Sequence, residues 1–384
     1  MGPFNPVRAF GTRAIPGNPG HAGSLVSIDS PERAPGWAST RTPRRHNTSR
    51  RQCAHVNNEA VETMKAILHD RYGTSEVLGL RDLDIPPVGD DEALVRIRAA
   101  AVNRGDVLAV EGVPYAARLS FGIRVPKQRV PGTDIAGTVE AVGSNVTAVE
   151  PGDDVFGWTK GAFAQYSSTR ADLVAPKPGR LTFEQAAAVP TAGVTALQAL
   201  RDVGRLERGH RVLVVGASGG VGTFAIQIAK AFGAEVTGVC STRNVDLVRS
   251  TGADHVIDYT REDFTSQPAR YDLVLDLVGR EPLTGSRRPV STGGTYVAVA
   301  GGNPRSLTGM SRFASTFLLT PFVRQRLRPL FAQNSPEDLS SVRDLLETGS
   351  VLPVIDSVYD LRDTPEAIAS VQSGHSRGKV VIAI

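Results

Sequence analysis

The sequence predicts an α/β protein in which a doubly wound parallel sheet is joined to a mostly β lobe, and three observations support this. From Arg211 onward, Val-rich runs alternate with helical segments: RVLVVG, FAIQIAKAF, EVTGVC, VDLVRSTG, HVIDY, YDLVLDLVG and TYVAVAGG. Such β-α-β alternation with apolar strands implies a parallel sheet covered by helices on both faces. Upstream, KAILHD, ALVRIRAAAV, DIAGTVEAVG and DVFGW are broken by Pro and Gly in PPVGDDE, VPGTD and EPGDD, the spacing of short strands with little helix. Finally, GASGGVG stands between the strand-like RVLVV and the helix-like FAIQIAKAF, where an open α/β sheet places its ligand loop.

The elements follow in order. Residues 1–63 hold seven Pro, eight Arg, no Lys and four acids. Without a sustained apolar period this head buries too little to offset its ordering entropy, and it reads as disordered. A transit peptide remains open for it, but an upstream extension ahead of a start at Met64 is preferred; a secretory signal fails for want of an apolar stretch before a cleavage site. Residues 64–189 make the strand-rich lobe. FEQAAAVPTAGVTALQALRDVG reads as helical and leads into the parallel domain, residues 190–322. The tail, 323–384, offers a helix in SPEDLSSVRDLLETG and strands in VLPVIDSVYD and KVVIAI. Too short to stand alone, it is expected to return and complete the first lobe.

Composition excludes several classes. The 384 residues are 41% hydrophobic, with no apolar run near the roughly 20 needed to span a bilayer. The formal charge of +4 belongs to the head, because the remainder carries 35 basic and 35 acidic residues. The body's charge thus gives no reason to expect nucleic acid or a membrane surface as partner. Two cysteines, Cys53 and Cys240, permit neither a disulfide framework nor a CxxC metal site and point to a reducing compartment, the cytoplasm.

A dinucleotide pyrophosphate is anionic, and a helix N-terminus offers it unpaired N–H groups and a positive dipole end. Close approach demands small side chains, and Ala217, Gly219 and Gly222 take the three positions of the G-x-G-x-x-G pattern. Ser218, Gly219, Gly220, Val221 and Gly222 are therefore the candidate cradle, the alternative being a tight turn and no more. Ser218 in this context touches phosphate rather than acting as a nucleophile. About 20 residues on, an NAD enzyme usually carries an acid for the ribose 2′-OH. Here EVTGVC runs into Ser241, Thr242, Arg243 and Asn244. Hydroxyls and a guanidinium suit a 2′-phosphate that a carboxylate would repel, so NADPH is the expected cofactor. The plainer reading of Arg243 is a solvated charge. Val278 after YDLVLDLVG, and Ala300 and Gly301 in VAVAGG, end strands at the carboxyl edge of the sheet, where ligands bind.

The blocks VNRGD, PGTDIAGTVEAVG, EPGDDVFG, AGVTALQAL, GASGGVGTFAIQIAKAFGAEVTGVCS, GADHVIDY and GKVVI, in order between Met64 and Ile384, resemble the medium-chain dehydrogenase/reductase superfamily in its zinc-independent quinone oxidoreductase branch. GASGGVGTFAIQ and VCS are most similar to its reticulon-interacting, mitochondrial-type members. The resemblance implies a GroES-like, mostly β catalytic domain built from both chain ends beside a Rossmann domain, with the cleft between them. Zinc-dependent relatives carry Cys where this chain has Asn103, and His-Glu where it has Thr133 and Asp134. With one Cys and four dispersed His in the body (His69, His210, His255, His375), no metal is expected.

The resemblance also implies site residues. Asn103 sits beside the nicotinamide ribose and the acceptor, unless it is a loop Asn ordering its own turn. Tyr115, one position out of register, borders the substrate. Thr195 lines the cleft, unless it is helix interior, and Tyr259 packs by the 2′-phosphate, unless it is a core lid. The family lysine that meets this phosphate falls on Asn244, one place after Arg243. Lys379 could reach the cofactor, yet reads more simply as a solvated lysine, and Asp106 reads as loop structure.

Without a Lewis acid a plain alcohol or ketone is hard to polarise. The expected acceptor is therefore a small electrophile, a quinone or an α,β-unsaturated carbonyl, taking hydride from NADPH. A cofactor-binding scaffold or redox sensor with little turnover, and an enoyl-thioester reductase, are the alternatives. The insert RLSFGIRVPKQRV is expected to shape the entrance, its three Arg and one Lys facing solvent rather than an anionic substrate. MSRFASTFLLTPFV is apolar enough for a homodimer interface or for core burial.

Overall fold

The computed structural model describes residues 63–300, 303–305 and 308–384. The head expected to be disordered, residues 1–63, lies outside them except for Thr63. None of the described helices is long and apolar enough to cross a membrane.

The first lobe is organised on Glu92–Val102, which pairs antiparallel with Asp134–Val142 and with Tyr166–Arg170, while Asp154–Trp158 and Val174–Pro176 extend the sheet. The tail returns to this sheet. Lys379–Ala383 pairs antiparallel with Glu92–Val102, and Ile355–Asp360 lies outside it, making seven strands.

The second sheet is wholly parallel, in the order His255–Asp258, Glu235–Cys240, Arg211–Val215, Tyr271–Asp276, Val290–Ala298 and Arg326–Pro329. This is the doubly wound sheet that the alternation predicts. Strand order reverses at Arg211–Val215, so a ligand crevice opens at its carboxyl end. One boundary moves: the parallel domain does not stop at 322, because Arg326–Pro329 is its sixth strand. RLRP is short, half charged and closed by Pro. An edge strand tolerates all three features, and none of them signals a strand in sequence. The tail helix Pro336–Glu347 serves both lobes: its Asp338 accepts from Gln198 Nε2 at 2.7 Å, and its Glu347 carbonyl accepts from Arg180 Nη1 at 3.3 Å.

Helix Pro190–Gln198 joins the two sheets. PTAGVTALQ is small or apolar all round, the composition of a helix buried on every side, and all its residues but Thr191 are buried. One core runs through it, with Phe156 and Trp158 from the first lobe and Val212, Phe224 and Leu273 from the second. Each fully buried aromatic or leucine of this kind contributes roughly 1.5–3 kcal/mol. The apolar stretch expected at an interface or in the core divides between the two. In helix Ser311–Leu319, Arg312, Phe313 and Thr316 point inward, whereas Phe317 and Leu318 are exposed.

Candidate functional site

Strand Arg211–Val215 turns at Gly216, at φ +88°, and the chain enters helix Gly220–Ala231. A Cβ on Gly216 would meet Val278 Cγ2 at 2.7 Å, and one on Gly222 would meet the Gly216 carbonyl oxygen at 2.2 Å. Neither position has room for a side chain. The helix starts from Gly219 with no side-chain cap, which leaves its first N–H groups and positive dipole end to a ligand. Residues 218–222, Ser241, Arg243, Tyr259 and Val278 line one cavity of about 740 Å³, within the size range of cofactor sites. Ala300 lies behind this wall, where a Cβ on Gly279 would meet its own Cβ at 3.1 Å. Gly301 lies outside the described residues.

Beyond strand Glu235–Cys240, Asn244 donates from Nδ2 to Ser218 Oγ at 2.9 Å and to Ser241 Oγ at 3.3 Å, while its buried Oδ1 has no partner. An unpaired buried carbonyl costs about 1–3 kcal/mol, a deficit that a ligand hydroxyl can relieve. Arg243 is not simply solvated: its Nη2 donates to the His375 carbonyl at 2.7 Å, which holds the guanidinium at the cavity rim. Arg261 and Arg280 bring the guanidiniums of the wall to three, and no sequence pattern marks either of them. Tyr259 is exposed at the rim and is no core lid. These groups fit a nicotinamide dinucleotide.

The first lobe reaches the glycine loop through the tail. Gly378 N–H donates to the Ser218 carbonyl at 2.9 Å, and Gly219 and Gly378 form a parallel bridge. Lys379 then passes the helix end so closely that a Cβ on Gly220 would meet its Cδ at 2.9 Å. The expectation of a solvated lysine is corrected, for Lys379 is only 3% exposed. Its Nζ donates to Asn103 Oδ1 at 2.5 Å and pairs with Asp134 Oδ2 at 3.5 Å.

Asn103 is the N-cap of helix Arg104–Glu111, and Asp106 Oδ2 accepts its backbone N–H at 2.7 Å. The Asn103 side chain takes part in a capping box with Asp106 and donates from Nδ2 to Thr133 Oγ1 at 3.3 Å, and Thr133 donates to Asp106 Oδ1 at 3.2 Å. Buried Asp134 accepts from Thr191 Oγ1 at 2.5 Å, and that oxygen accepts the Trp158 indole N–H at 3.2 Å. The threonine of helix Pro190–Gln198 in this network is therefore Thr191. Thr195 lies a turn deeper, buried and outside the cavity wall, because the helix runs from the network into the core. Tyr115 is exposed, with the Arg118 guanidinium 5.2 Å from its ring, and lies outside the cavity wall, as do Thr195, Asn103 and Lys379.

Asp106 is helical rather than loop structure. Burial pushes its carboxyl up to about 7; the Asp134 carboxylate adds to the rise, and the Asn103 N–H and Lys379 ammonium oppose it. A carboxyl with a raised folded pKa binds its proton more tightly folded than unfolded. Stability therefore falls as pH rises from about 4, the unfolded value, to about 7, and is level above that. Asp106→Asn is expected to remove this slope and to gain on the order of 1–2 kcal/mol over wild type at pH 8 but not at pH 5. Thermal unfolding at the two pH values checks this, and an unchanged slope in the variant would contradict it.

Among the described residues no three His, Cys, Asp or Glu side chains come together to hold a metal ion. The groups around Asn103 are its own amide, the Thr133 hydroxyl, the buried Asp106 carboxyl and the Asp134 carboxylate, the last paired with the Lys379 ammonium.

Residues 89–199 match the family described as alcohol dehydrogenase GroES-like domain, and residues 251–382 the family described as zinc-binding dehydrogenase. The mitochondrial NAD(P)H oxidoreductase RTN4IP1 of Bos taurus is 33% identical to this chain, over 84% of it and 89% of that protein. The chloroplastic NADPH-dependent alkenal/one oxidoreductase of Arabidopsis thaliana is 32% identical, over 83% of this chain and 79% of its own length. Among solved structures, the quinone oxidoreductase from Coxiella burnetii matches with a TM-score of 0.75 at 30% identity, over 84% of this chain and 99% of that one.

Proposed function

The chain belongs to the medium-chain dehydrogenase/reductase superfamily, in its quinone oxidoreductase branch, and from that membership we propose that it transfers hydride from NADPH to quinones or α,β-unsaturated carbonyls without a metal. The observation that carries this proposal is the Lys379 ammonium, seated on Asn103 and Asp134. A fixed cation already neutralises Asp134; the second carboxyl, Asp106, is taken up by the Asn103 N–H and Thr133 Oγ1; and an amide and a hydroxyl are poor Zn2+ ligands.

NADPH, when bound, supplies the hydride. The chain's own groups do the rest: the uncapped helix and the glycine loop hold the pyrophosphate, and Asn103 and Lys379 orient the acceptor oxygen and stabilise the negative charge that develops on it. A fixed donor aimed at developing charge contributes about 3–4 kcal/mol. Asp106 connects to Asn103 both directly and through Thr133, and burial raises its carboxyl to about 7.

Ser241, Arg243 and Arg261 around the cavity support NADPH over NADH. Arg243→Glu is expected to weaken NADPH binding roughly 10- to 100-fold and to leave NADH binding nearly unchanged, because a hydrogen bond to a charged group contributes about 1.5–3 kcal/mol. Titration of both cofactors checks this. If the unmodified protein oxidised NADH as well as NADPH, the cofactor assignment would fall. Turnover is tested by NADPH oxidation against quinones, enals and enoyl thioesters. Binding without oxidation across that panel would favour a cofactor-binding scaffold or sensor, and oxidation confined to thioesters an enoyl-thioester reductase.

A further inference from the structure

Within seven residues of the first lobe, Leu119 (74%), Phe121 (50%), Ile123 (68%) and Val125 (60%) all expose their side chains. The backbone beneath them is firmly held. Tyr72 Oη donates to the Gly122 carbonyl at 2.6 Å, Gly122 N–H to the Arg118 carbonyl at 2.8 Å, and Lys127 N–H to the Phe121 carbonyl at 2.7 Å. Arg118 stacks 4.5 Å from the centre of the Tyr72 ring and donates from Nε to the Gly112 carbonyl at 2.8 Å. A turn pinned in this way presents its apolar side chains outward. Single exposed apolar residues need no explanation, but a contiguous group does.

Two further features bear on what covers it. From Gly112 to Thr133 there is no acidic residue, and exposed Arg124 and Lys127 interleave with the apolar side chains. The segment also starts where the two lobes meet. A Cβ on Gly309 would contact Pro114 Cγ at 2.9 Å, and Glu111 pairs with Arg305 at 3.8 Å.

We propose that residues 119–127 are a docking patch for an anionic lipid surface, which gives the cleft access to acceptors dissolved in the bilayer, lipophilic quinones by class. Docking rests on the patch alone; the acceptor class rests on the function proposed above. Leu119, Phe121, Ile123 and Val125 enter the boundary between headgroups and acyl chains, and Arg124 and Lys127 meet the anionic headgroups. A second copy is a poorer occupant, because a symmetric interface would bring two like-charged patches together with no acidic residue between Gly112 and Thr133 to offset them. The body's balanced total charge hides this local excess, and the exposure of Arg124 and Lys127 agrees with the solvent-facing reading of the insert.

The test spins the full-length protein with phosphatidylcholine vesicles and with mixed phosphatidylcholine–phosphatidylglycerol vesicles, at low salt and with no cofactor or acceptor. Wild type is expected to sediment with the anionic vesicles roughly tenfold more than with the neutral ones. Leu119→Ser/Phe121→Ser and Arg124→Glu/Lys127→Glu are each expected to abolish that difference while unfolding at the wild-type temperature. Wild type left in the supernatant with both vesicle types overturns docking, even if it reduces soluble quinones well. Loss of a dimer in Leu119→Ser/Phe121→Ser without lipid also overturns it and assigns the patch to a second copy. Vesicle binding by a protein that oxidises no NADPH keeps the docking and removes the acceptor class.

Discussion

Lys379→Met is expected to lower kcat/KM by roughly 100- to 1000-fold and stability by about 3–5 kcal/mol, because one ammonium serves both the proposed chemistry and a buried carboxylate. The stability effect falls on Asp134. Without Lys379 it keeps Thr191 as donor, through Oγ1 at 2.5 Å and N–H at 3.3 Å, but has no charge partner. A buried carboxylate left without its cation costs more than the intact pair contributed, which is why the loss falls on stability as well as on turnover. The activity effect falls on kcat more than on NADPH affinity, since the ammonium faces Asn103 rather than the rim that holds Arg243. The double variant Lys379→Met/Asp134→Asn separates the two roles, recovering part of the stability and none of the turnover. Steady-state kinetics with NADPH and a quinone, beside thermal unfolding, decide the matter. Turnover within threefold of wild type would reduce Lys379 to a structural residue.

Sequence reached one half of this site and missed the other for a physical reason. The glycine loop was legible because its requirements are local: a strand, small residues where a backbone must approach, and an amphipathic helix, all between Arg211 and Ala231. Ser241 and Arg243 were legible for the same reason, at the end of the next strand. Lys379 lies 276 positions from Asn103, and only the return of the tail strand brings them together. Nothing in RGKVVI says that its lysine points inward. The shift of Asp106 depends on burial, which a short polar stretch such as VNRGD does not reveal. Thr191 and Thr195 lie four apart on one helix and look alike in sequence; the direction in which that helix enters the core distinguishes them. Arg312 was hidden within an apolar stretch that drew attention to its hydrophobic face.

Arg312→Met is expected to destabilise the protein by about 3–5 kcal/mol, on the order of 10 °C in Tm, and to weaken NADPH binding roughly tenfold. Arg312 and Asp276 are both buried, and the guanidinium binds the Asp276 carboxylate and the Tyr296 hydroxyl, with Ser286 Oγ at 3.1 Å and the Glu281 carbonyl at 2.5 Å completing its fork. Burial, reinforced by the Asp276 carboxylate, pushes the Tyr296 hydroxyl well above the usual tyrosine range, so it stays protonated and donates to Asp276 Oδ2 at 2.6 Å. The other carboxylate oxygen, Oδ1, accepts the N–H groups of Val278 at 3.0 Å and Gly279 at 2.8 Å. Val278 is cavity wall and closes over Gly216. The guanidinium thus sets the carboxylate, the carboxylate sets the turn, and the turn sets the wall against which the cofactor would lie. Arg312→Lys keeps the charge but loses the planar fork, so it should fall between wild type and Arg312→Met in both measurements. Because a ligand stabilises only the folded state that binds it, saturating NADPH should recover part of the lost Tm, and less of it in the variant than the same concentration gives wild type. Unaltered NADPH affinity in a destabilised variant would confine Arg312 to the core, and an unchanged Tm would mean that the buried ion pair is replaced by packing alone.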